Sequence, residues 1–353
     1  MKSTFKIALT GGGTAGHVMP HLAMLPYLQN AGLEPYYIGS NGIEKDIVGK
    51  ENISFYTIRA GKLRRYFSLQ NFFDIFNIFW GFVQTLGIFI RNRPDIVFSK
   101  GGFVSVPVSV AAWILRIPVI SHESDLTPGL ANRIISPFSR RILYCFPQTG
   151  DFLPSVKSRC VGLPIRQELF DGNSDLVKSR FGLVDEKPTL LFMGGSLGSV
   201  KINEALRDCI DELILTWNII HITGKGKKID YSGEGYCSFE YVSDDLRDFF
   251  AAADIIISRA GANSIFEFLA LKKPMLLIPL DAGSRGDQIQ NAQCFRNENW
   301  AHLLPENELS GATLLKAIED LNDQRSRVLE SQKKIDSGKV VQMILDEINS
   351  VIS

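Results

Sequence analysis

The chain has 353 residues, 45% of them hydrophobic, and a mean hydropathy of +0.05. This is a globular composition, long enough for two cores rather than one. Its formal net charge is zero, but residues 1–160 carry 17 Lys and Arg against 9 Asp and Glu, leaving −8 on the remainder. The balance argues against a nucleic-acid binder and points to an anionic partner on the first half alone. Five cysteines (Cys145, Cys160, Cys209, Cys237, Cys294), odd in number and without a C-x-x-C, indicate reduced thiols in the cytoplasm. No signal-peptide pattern precedes the first strand. The longest apolar segments, residues 75–90 and 101–115, fall short of the ~20 residues that a spanning helix needs.

In chain order, residues 5–9 form an apolar strand, followed by the turn Gly11-Gly12-Gly13-Thr14-Ala15-Gly16-His17 and a helix that stops at Gly32. Strand, glycine turn and helix open a Rossmann-like unit. The spacing is not G-x-G-x-x-G and no acidic residue closes the next strand, which disfavours a dinucleotide. Further strand–helix units follow at 95–99 with a helix to 115, at 118–121 with a helix from 128, and at 141–146. Alternation of this kind predicts a doubly wound parallel sheet with ligands at the strands' carboxyl ends. Residues 13–17, 101–102 and 122–125 all occupy such ends. The pattern then restarts with a strand at 188–192, a second glycine turn at 194–199 and a helix over 200–215. Two similar α/β domains facing across a cleft are expected. The tail over 314–352 has helical periodicity.

The stretch 258–291 carries the richest chemistry. Residues 254–257 form a buried strand, and a turn containing Gly261 then opens a helix, whose N-terminal N–H groups and positive dipole end suit phosphate. A second strand spans 274–280. Glu267 and Gln288 lie near the flanking loops, and a carboxylate and an amide are groups that bind sugar hydroxyls. The combination points to a sugar nucleotide.

Seven of the 23 Phe lie between Phe67 and Phe89, with Phe72, Phe76, Phe79 and Phe82 on one helical face. Lys62, Arg64, Arg65, Arg91 and Arg93 bracket them. An apolar stripe flanked by cations is expected to rest on an anionic membrane surface; the competing expectation is a helix buried in the core.

Residues 11–20 (GGGTAGHVMP), 100–106 with 122–132 (KGGFVSV and HESDLTPGLAN), 162–166, 194–199, 259–267 and 286–292 resemble, in order, the motifs of the MurG family of bacterial N-acetylglucosaminyltransferases in glycosyltransferase family 28. The resemblance covers essentially the whole chain. It implies a GT-B fold, two Rossmann-like doubly wound parallel-sheet domains. An acceptor- and membrane-binding domain would span 1–162 and a UDP-GlcNAc-binding domain 163–335. A C-terminal helix at 336–353 would pack back on the first domain. The implied reaction moves GlcNAc from UDP-GlcNAc to the C4 hydroxyl of MurNAc in undecaprenyl-pyrophosphoryl-MurNAc-pentapeptide (lipid I), with inversion, giving lipid II for peptidoglycan. A peripheral location on the cytoplasmic face of the cell membrane is implied, as are partners in a cell-wall synthesis complex.

By motif position, Thr14, Ala15 and Gly16 would line the site near the donor and the acceptor pyrophosphate. Asp125 and Asn132 would face the donor sugar, and Arg166 would sit near the donor. Ser196 would contact the diphosphate, and Ser243 would lie on the uracil-binding backbone. Ala262, Asn263 and Ser264 would hold ribose and phosphate, with Glu267 on the ribose hydroxyls and Gln288, beside Asp287, on GlcNAc. The Phe-rich helix falls where the family carries its membrane patch. The chain departs from the commonest family pattern at Ala15, Leu197, Asp125 and the Gly286-Asp287-Gln288 triplet.

Inverting transfer needs a base for the acceptor hydroxyl and stabilisation of the departing UDP. His17, whose ordinary pKa lies near neutrality, is the expected base and Glu123 the next candidate. His21, His221 and His302 lack polar neighbours in sequence and read as structural. No D-x-D triplet occurs, so no site-bound divalent ion is expected, and added Mg2+ would act only indirectly. Three rival readings are a GT-B enzyme glucosylating diacylglycerol, a sugar-nucleotide epimerase and a non-catalytic scaffold.

Overall fold

Short apolar strands joined by helices must be covered on both faces, which is the environment of a parallel sheet. In the computed structural model the first seven strands pair in that way throughout. They are β1 (Phe5–Thr10), β2 (Leu33–Gly39), β3 (Ser54–Thr57), β4 (Ile96–Ser99), β5 (Val119–Glu123), β6 (Arg141–Tyr144) and β7 (Ser158–Cys160). Their order is β3-β2-β1-β4-β5-β6-β7. The helices between them are α1 (Met19–Asn30), α2 (Ile43–Val48), α3 (Leu69–Arg91), α4 (Ser105–Ile114) and α5 (Leu130–Ile135). The structure describes residues 4–61, 69–195, 198–242, 245–281 and 286–352, and in α3 the side chains of residue 74 and of 76 onward.

The second sheet repeats the plan with β8 (Thr189–Met193), β9 (Asn218–Ile222), β10 (Tyr236–Phe239), β11 (Ile255–Ser258), β12 (Met275–Leu277) and β13 (His302–Leu303). All of its pairings are parallel, in the order β10-β9-β8-β11-β12-β13. Its helices are α6 (Ser174–Phe181), α7 (Val200–Arg207), α8 (Ile210–Thr216), α9 (Leu246–Ala252), α10 (Ala262–Ala270), α11 (Asp287–Asn297), α12 (Gly311–Asp323) and α13 (Arg325–Lys333). The last helix, α14 (Val340–Ile352), returns to the first unit. In each sheet the strand order reverses once, between β1 and β4 and between β8 and β11. The carboxyl ends of those strand pairs are the places where such sheets bind ligands.

The chain forms two compact units, residues 1–166 with 337–353, and residues 167–336. The first unit thus extends past residue 162, because the 162–164 segment is packed onto it. Gly162 accepts a hydrogen bond from His122 Nε2 at 2.9 Å and Leu163 is buried. Val340, Ile344, Leu345 and Ile348 of α14 join the core formed by Ile7, Leu9, Phe98 and Ile120. Glu347 adds ion pairs to Arg141 at 3.2 Å and Arg159 at 2.5 Å.

Several expected boundaries shift. β5 runs on to Glu123 rather than stopping at Ser121, since His122 and Glu123 are buried with their polar atoms partnered. The helix expected over 200–215 is two, α7 and α8, interrupted at Cys209 (φ −131°, ψ 8°). The tail is helical as expected and consists of three helices, α12, α13 and α14.

Candidate active site

Two glycine turns meet at the switch point of the first sheet. A Cβ on Gly102, at φ 80°, would lie 2.3 Å from the Gly12 carbonyl oxygen, so no other residue fits there. The turn after β1 is held from behind by Glu44, a fully buried carboxylate of α2. Its Oε1 accepts from Ser40 N at 2.9 Å and Ser40 Oγ at 2.5 Å, and its Oε2 accepts from Gly13 N at 3.2 Å. Nothing in the local sequence marks Glu44 for this role; it reads as an ordinary first-turn helix acid.

His17 ends the single 3₁₀ turn Ala15–His17 that leads into α1, with Thr14 immediately before it. Its Nδ1 lies 2.9 Å from the Gly12 carbonyl oxygen and 3.1 Å from Thr14 Oγ1. A carbonyl only accepts, so Nδ1 carries the proton and donates it. In the neutral ring the lone pair is therefore on Nε2. A neighbour that fixes the tautomer in this way is the arrangement of a general base.

Glu123, at the end of β5, has both oxygens engaged. Oε1 accepts from Ser124 N at 2.9 Å and Asp125 N at 3.0 Å, while Oε2 accepts from Gly129 N at 2.9 Å and Asn132 Nδ2 at 2.8 Å. Four donors fill the acceptor sites of one carboxylate. Glu123 therefore shapes the loop that carries Asp125. Beneath that loop lies Lys100, a fully buried cation that donates to Ser124 Oγ at 2.6 Å and to His122 Nδ1 at 2.5 Å. Burial pushes the Lys100 ammonium down to about 8, with Cys145, Glu123 and Asp125 opposing the shift. His122 is held well below its ordinary value, first by burial and then by Lys100, while Gly162 opposes. It is neutral and accepts from the lysine.

In the second unit, β11 leads through Arg259 and Gly261 into α10, whose preceding residue Gly261 supplies no side-chain cap. A nine-residue helix with an uncapped N-terminus at a switch point is a seat for an anion. Arg259 is buried and braces this edge. It donates to Ser199 Oγ at 2.6 Å and to the Ile278 carbonyl at 3.1 Å, and pairs with Glu306. Ser199 in turn caps α7 by accepting from Ile202 N. Burial pushes the Glu306 carboxyl up, but hydrogen bonds from Lys201 and Arg259 outweigh it and hold the group below the ordinary carboxylate range. Gln288, in the first turn of α11, accepts from Leu280 N at 3.1 Å through Oε1.

Thr14, Ala15, Gly16, His17, Glu123, Asp125 and Asn132 thus gather at the carboxyl edge of the first sheet. Ala262, Asn263, Ser264, Glu267, Asp287 and Gln288 belong to α10 and α11 at the corresponding edge of the second. Arg166 ends the first unit. Ser196 and Ser243 lie outside the described residues, as do Lys62, Arg64, Arg65 and the Phe72 side chain. His221, read from sequence as lacking polar neighbours, has two: Asn203 Oδ1 at 3.0 Å and Tyr236 Oη at 3.1 Å. Both are distant in sequence, and the pairing makes it a satisfied core histidine.

The two domain models of glycosyltransferase family 28 match this chain, the N-terminal one over residues 7–144 and the C-terminal one over 189–348. The chain belongs to glycosyltransferase family 28. Family membership makes it a glycosyltransferase and its paired sheets a GT-B fold. Among family 28 relatives, the UDP-N-acetylglucosamine--N-acetylmuramyl-(pentapeptide) pyrophosphoryl-undecaprenol N-acetylglucosamine transferase of Clostridium perfringens SM101 is 47% identical, over 98% of each chain. The enzyme of the same name from Geobacillus kaustophilus is 48% identical, over 96% of this chain and 97% of its own. The crystal structure of Acinetobacter baumannii MurG superposes with a TM-score of 0.77 at 22% identity, covering 98% of this chain and 99% of that one. A putative UDP-N-acetylglucosamine 2-epimerase from Listeria monocytogenes also superposes, with a TM-score of 0.70 at 12% identity over 98% and 96% of the chains, a likeness of fold.

Proposed function

We propose that this glycosyltransferase moves GlcNAc from UDP-GlcNAc to the C4 hydroxyl of MurNAc in undecaprenyl-pyrophosphoryl-MurNAc-pentapeptide, with inversion at the anomeric carbon. The observation that carries the reading is the match, across 98% of both chains, to an enzyme whose name specifies that sugar and that acceptor. The acceptor hydroxyl must lose its proton as the nucleotide leaves. His17 accepts it on Nε2, with Nδ1–H anchored on the Gly12 carbonyl. Glu123, whose oxygens already accept four hydrogen bonds, holds the loop rather than the proton.

Charge on the departing diphosphate is met by the N-terminal N–H groups of α10. Ala262, Asn263 and Ser264 hold phosphate and ribose, and Glu267 takes the ribose hydroxyls. By motif position, Ser243 belongs to the segment assigned to uracil. Asp287 and Gln288 take GlcNAc hydroxyls, Gln288 as a donor because its Oε1 already accepts from Leu280.

The lipid end of the acceptor calls for attachment to the membrane surface, on its cytoplasmic face. Among the described residues no helix is long and apolar enough to cross a membrane. α3 instead exposes Phe76 (51%), Phe79 (56%) and Trp80 (48%), and neighbouring α4 exposes Trp113 (55%) and Ile114 (50%). Phe82 does not share in this: it packs against the core formed by Phe89, Val97 and Val108. Replacing Phe76 and Phe79 together with Ser should release the protein from anionic vesicles in a flotation assay and leave its melting temperature unchanged. Phe82→Ser should instead lower the melting temperature.

A mass-spectrometric acceptor screen tests the reaction. Offered UDP-GlcNAc with lipid I and diacylglycerol together, the enzyme should add one N-acetylhexosamine to lipid I alone. Glycosylated diacylglycerol, or an epimerised nucleotide sugar formed without acceptor, would replace this reading with another.

A further inference from the structure

At the carboxyl ends of β2 and β3, against the polar side of α3, the first unit has a solvent-open groove of about 400 Å³ that the reaction as described leaves unused. Ser40, Asn41, Thr57, Arg59, Asn77 and Gln84 line it. Its volume falls within the roughly 300–1,000 Å³ of small-ligand sites.

Gly42, Ile58 and Ala60 complete the lining, and two of its amides have their oxygens engaged. Gln84 Oε1 accepts from Arg59 N at 2.7 Å, and Asn41 Oδ1 accepts from Lys45 Nζ at 3.0 Å. Each amide thereby commits its oxygen to the protein and keeps its NH2 as the group left to donate. Arg59 adds a guanidinium, which has donors and no acceptor. Such a wall fits a ligand rich in carbonyl and carboxylate oxygens. With one guanidinium among neutral amides, it matches a short peptide ending in a carboxylate better than a diphosphate.

The position agrees. Glu44 joins one wall, at Ser40, to Gly13 of the turn that carries His17. Asn77 and Gln84 on the other wall are seven residues apart and share one face of α3, the helix that also exposes Phe76, Phe79 and Trp80. The groove is thus flanked by the turn bearing the base and by the helix that meets lipid.

We infer that this groove binds the stem peptide of the lipid-linked acceptor, with Arg59 taking a peptide carboxylate and Asn77 and Gln84 taking peptide carbonyls. The inference rests on the acceptor assigned above and makes the enzyme a reader of the peptide as well as of the sugar.

The test compares two acceptors, the lipid pyrophosphoryl-MurNAc with its pentapeptide and the same lipid without it. Arg59→Ala and Asn77→Ala should each raise KM for the pentapeptide acceptor about tenfold, the scale of one lost hydrogen bond to a charged or amide group. KM for UDP-GlcNAc, kcat and KM for the peptide-free acceptor should stay at wild-type values, and Arg59→Lys should recover part of the loss. Equal KM of wild type for the two acceptors, or an equal rise for both in the variants, would overturn the peptide site and leave the transferase reading standing. Turnover of neither acceptor by wild type would overturn both.

Discussion

Replacing His17 with Ala should lower kcat by about 10²–10⁴-fold, the usual contribution of a positioned general base, with little change in KM for either substrate. The expectation follows from one hydrogen bond. Because the Gly12 carbonyl can only accept, it fixes the proton on Nδ1 and the lone pair on Nε2. Glu123 does not replace His17 in the role, since each of its oxygens already accepts two hydrogen bonds. Glu123→Gln should perturb the loop that bears Asp125, and so act on KM more than on kcat. A His17→Ala enzyme that kept most of its turnover would remove His17 from proton transfer and leave it as a brace for the turn.

Replacing Glu306 with Ala should destabilise the second unit by about 3–5 kcal/mol, the range for breaking one side of a buried ion pair. The Arg259 side chain is 10% exposed and that of Glu306 2%, so the variant leaves a guanidinium charge in the interior. Lys201, which pairs with the same carboxylate at 3.1 Å, is 58% exposed and can turn to water. The pH dependence has a definite sign. The Glu306 carboxyl is held below its ordinary value in the fold. Its stabilisation is therefore complete above the unfolded carboxylate value and is lost as pH falls through the folded one. Chemical denaturation followed from neutral pH downward should show that acid-labile component in the wild type and its absence in the variant. Arg259 also holds Ser199, the cap of the helix after the second glycine turn. KM for UDP-GlcNAc should accordingly rise along with the loss of stability.

The plan of both sheets is legible in the sequence because apolar strands, glycine turns and helices alternate at close intervals. β1, β4, β8 and β11 each end at a glycine turn or at the residues leading into one, so the strand ends that carry the site can be read before any coordinates, whereas the strand order that makes them switch points cannot. What escapes sequence reading is whatever depends on contact across long separations. Arg259 and Glu306 lie 47 residues apart and Lys100 and His122 lie 22 apart. Buried Lys100, Glu44 and Glu306 look in sequence like solvated charges, because nothing local marks their partners. β7 and β13 have only three and two residues and no usable periodicity. α3 is apolar on more than one face, so spacing alone could not tell Phe82, which packs inward, from Phe79, which faces out.

The single most direct measurement is an incubation of the purified protein with UDP-[¹⁴C]GlcNAc and lipid I, followed by separation of nucleotide from lipid. Label should move into the lipid fraction as a disaccharide-linked product, with one UDP released per GlcNAc transferred. Label that stays in the nucleotide fraction, or that reaches lipid equally well when lipid I is replaced by diacylglycerol, would contradict the assignment.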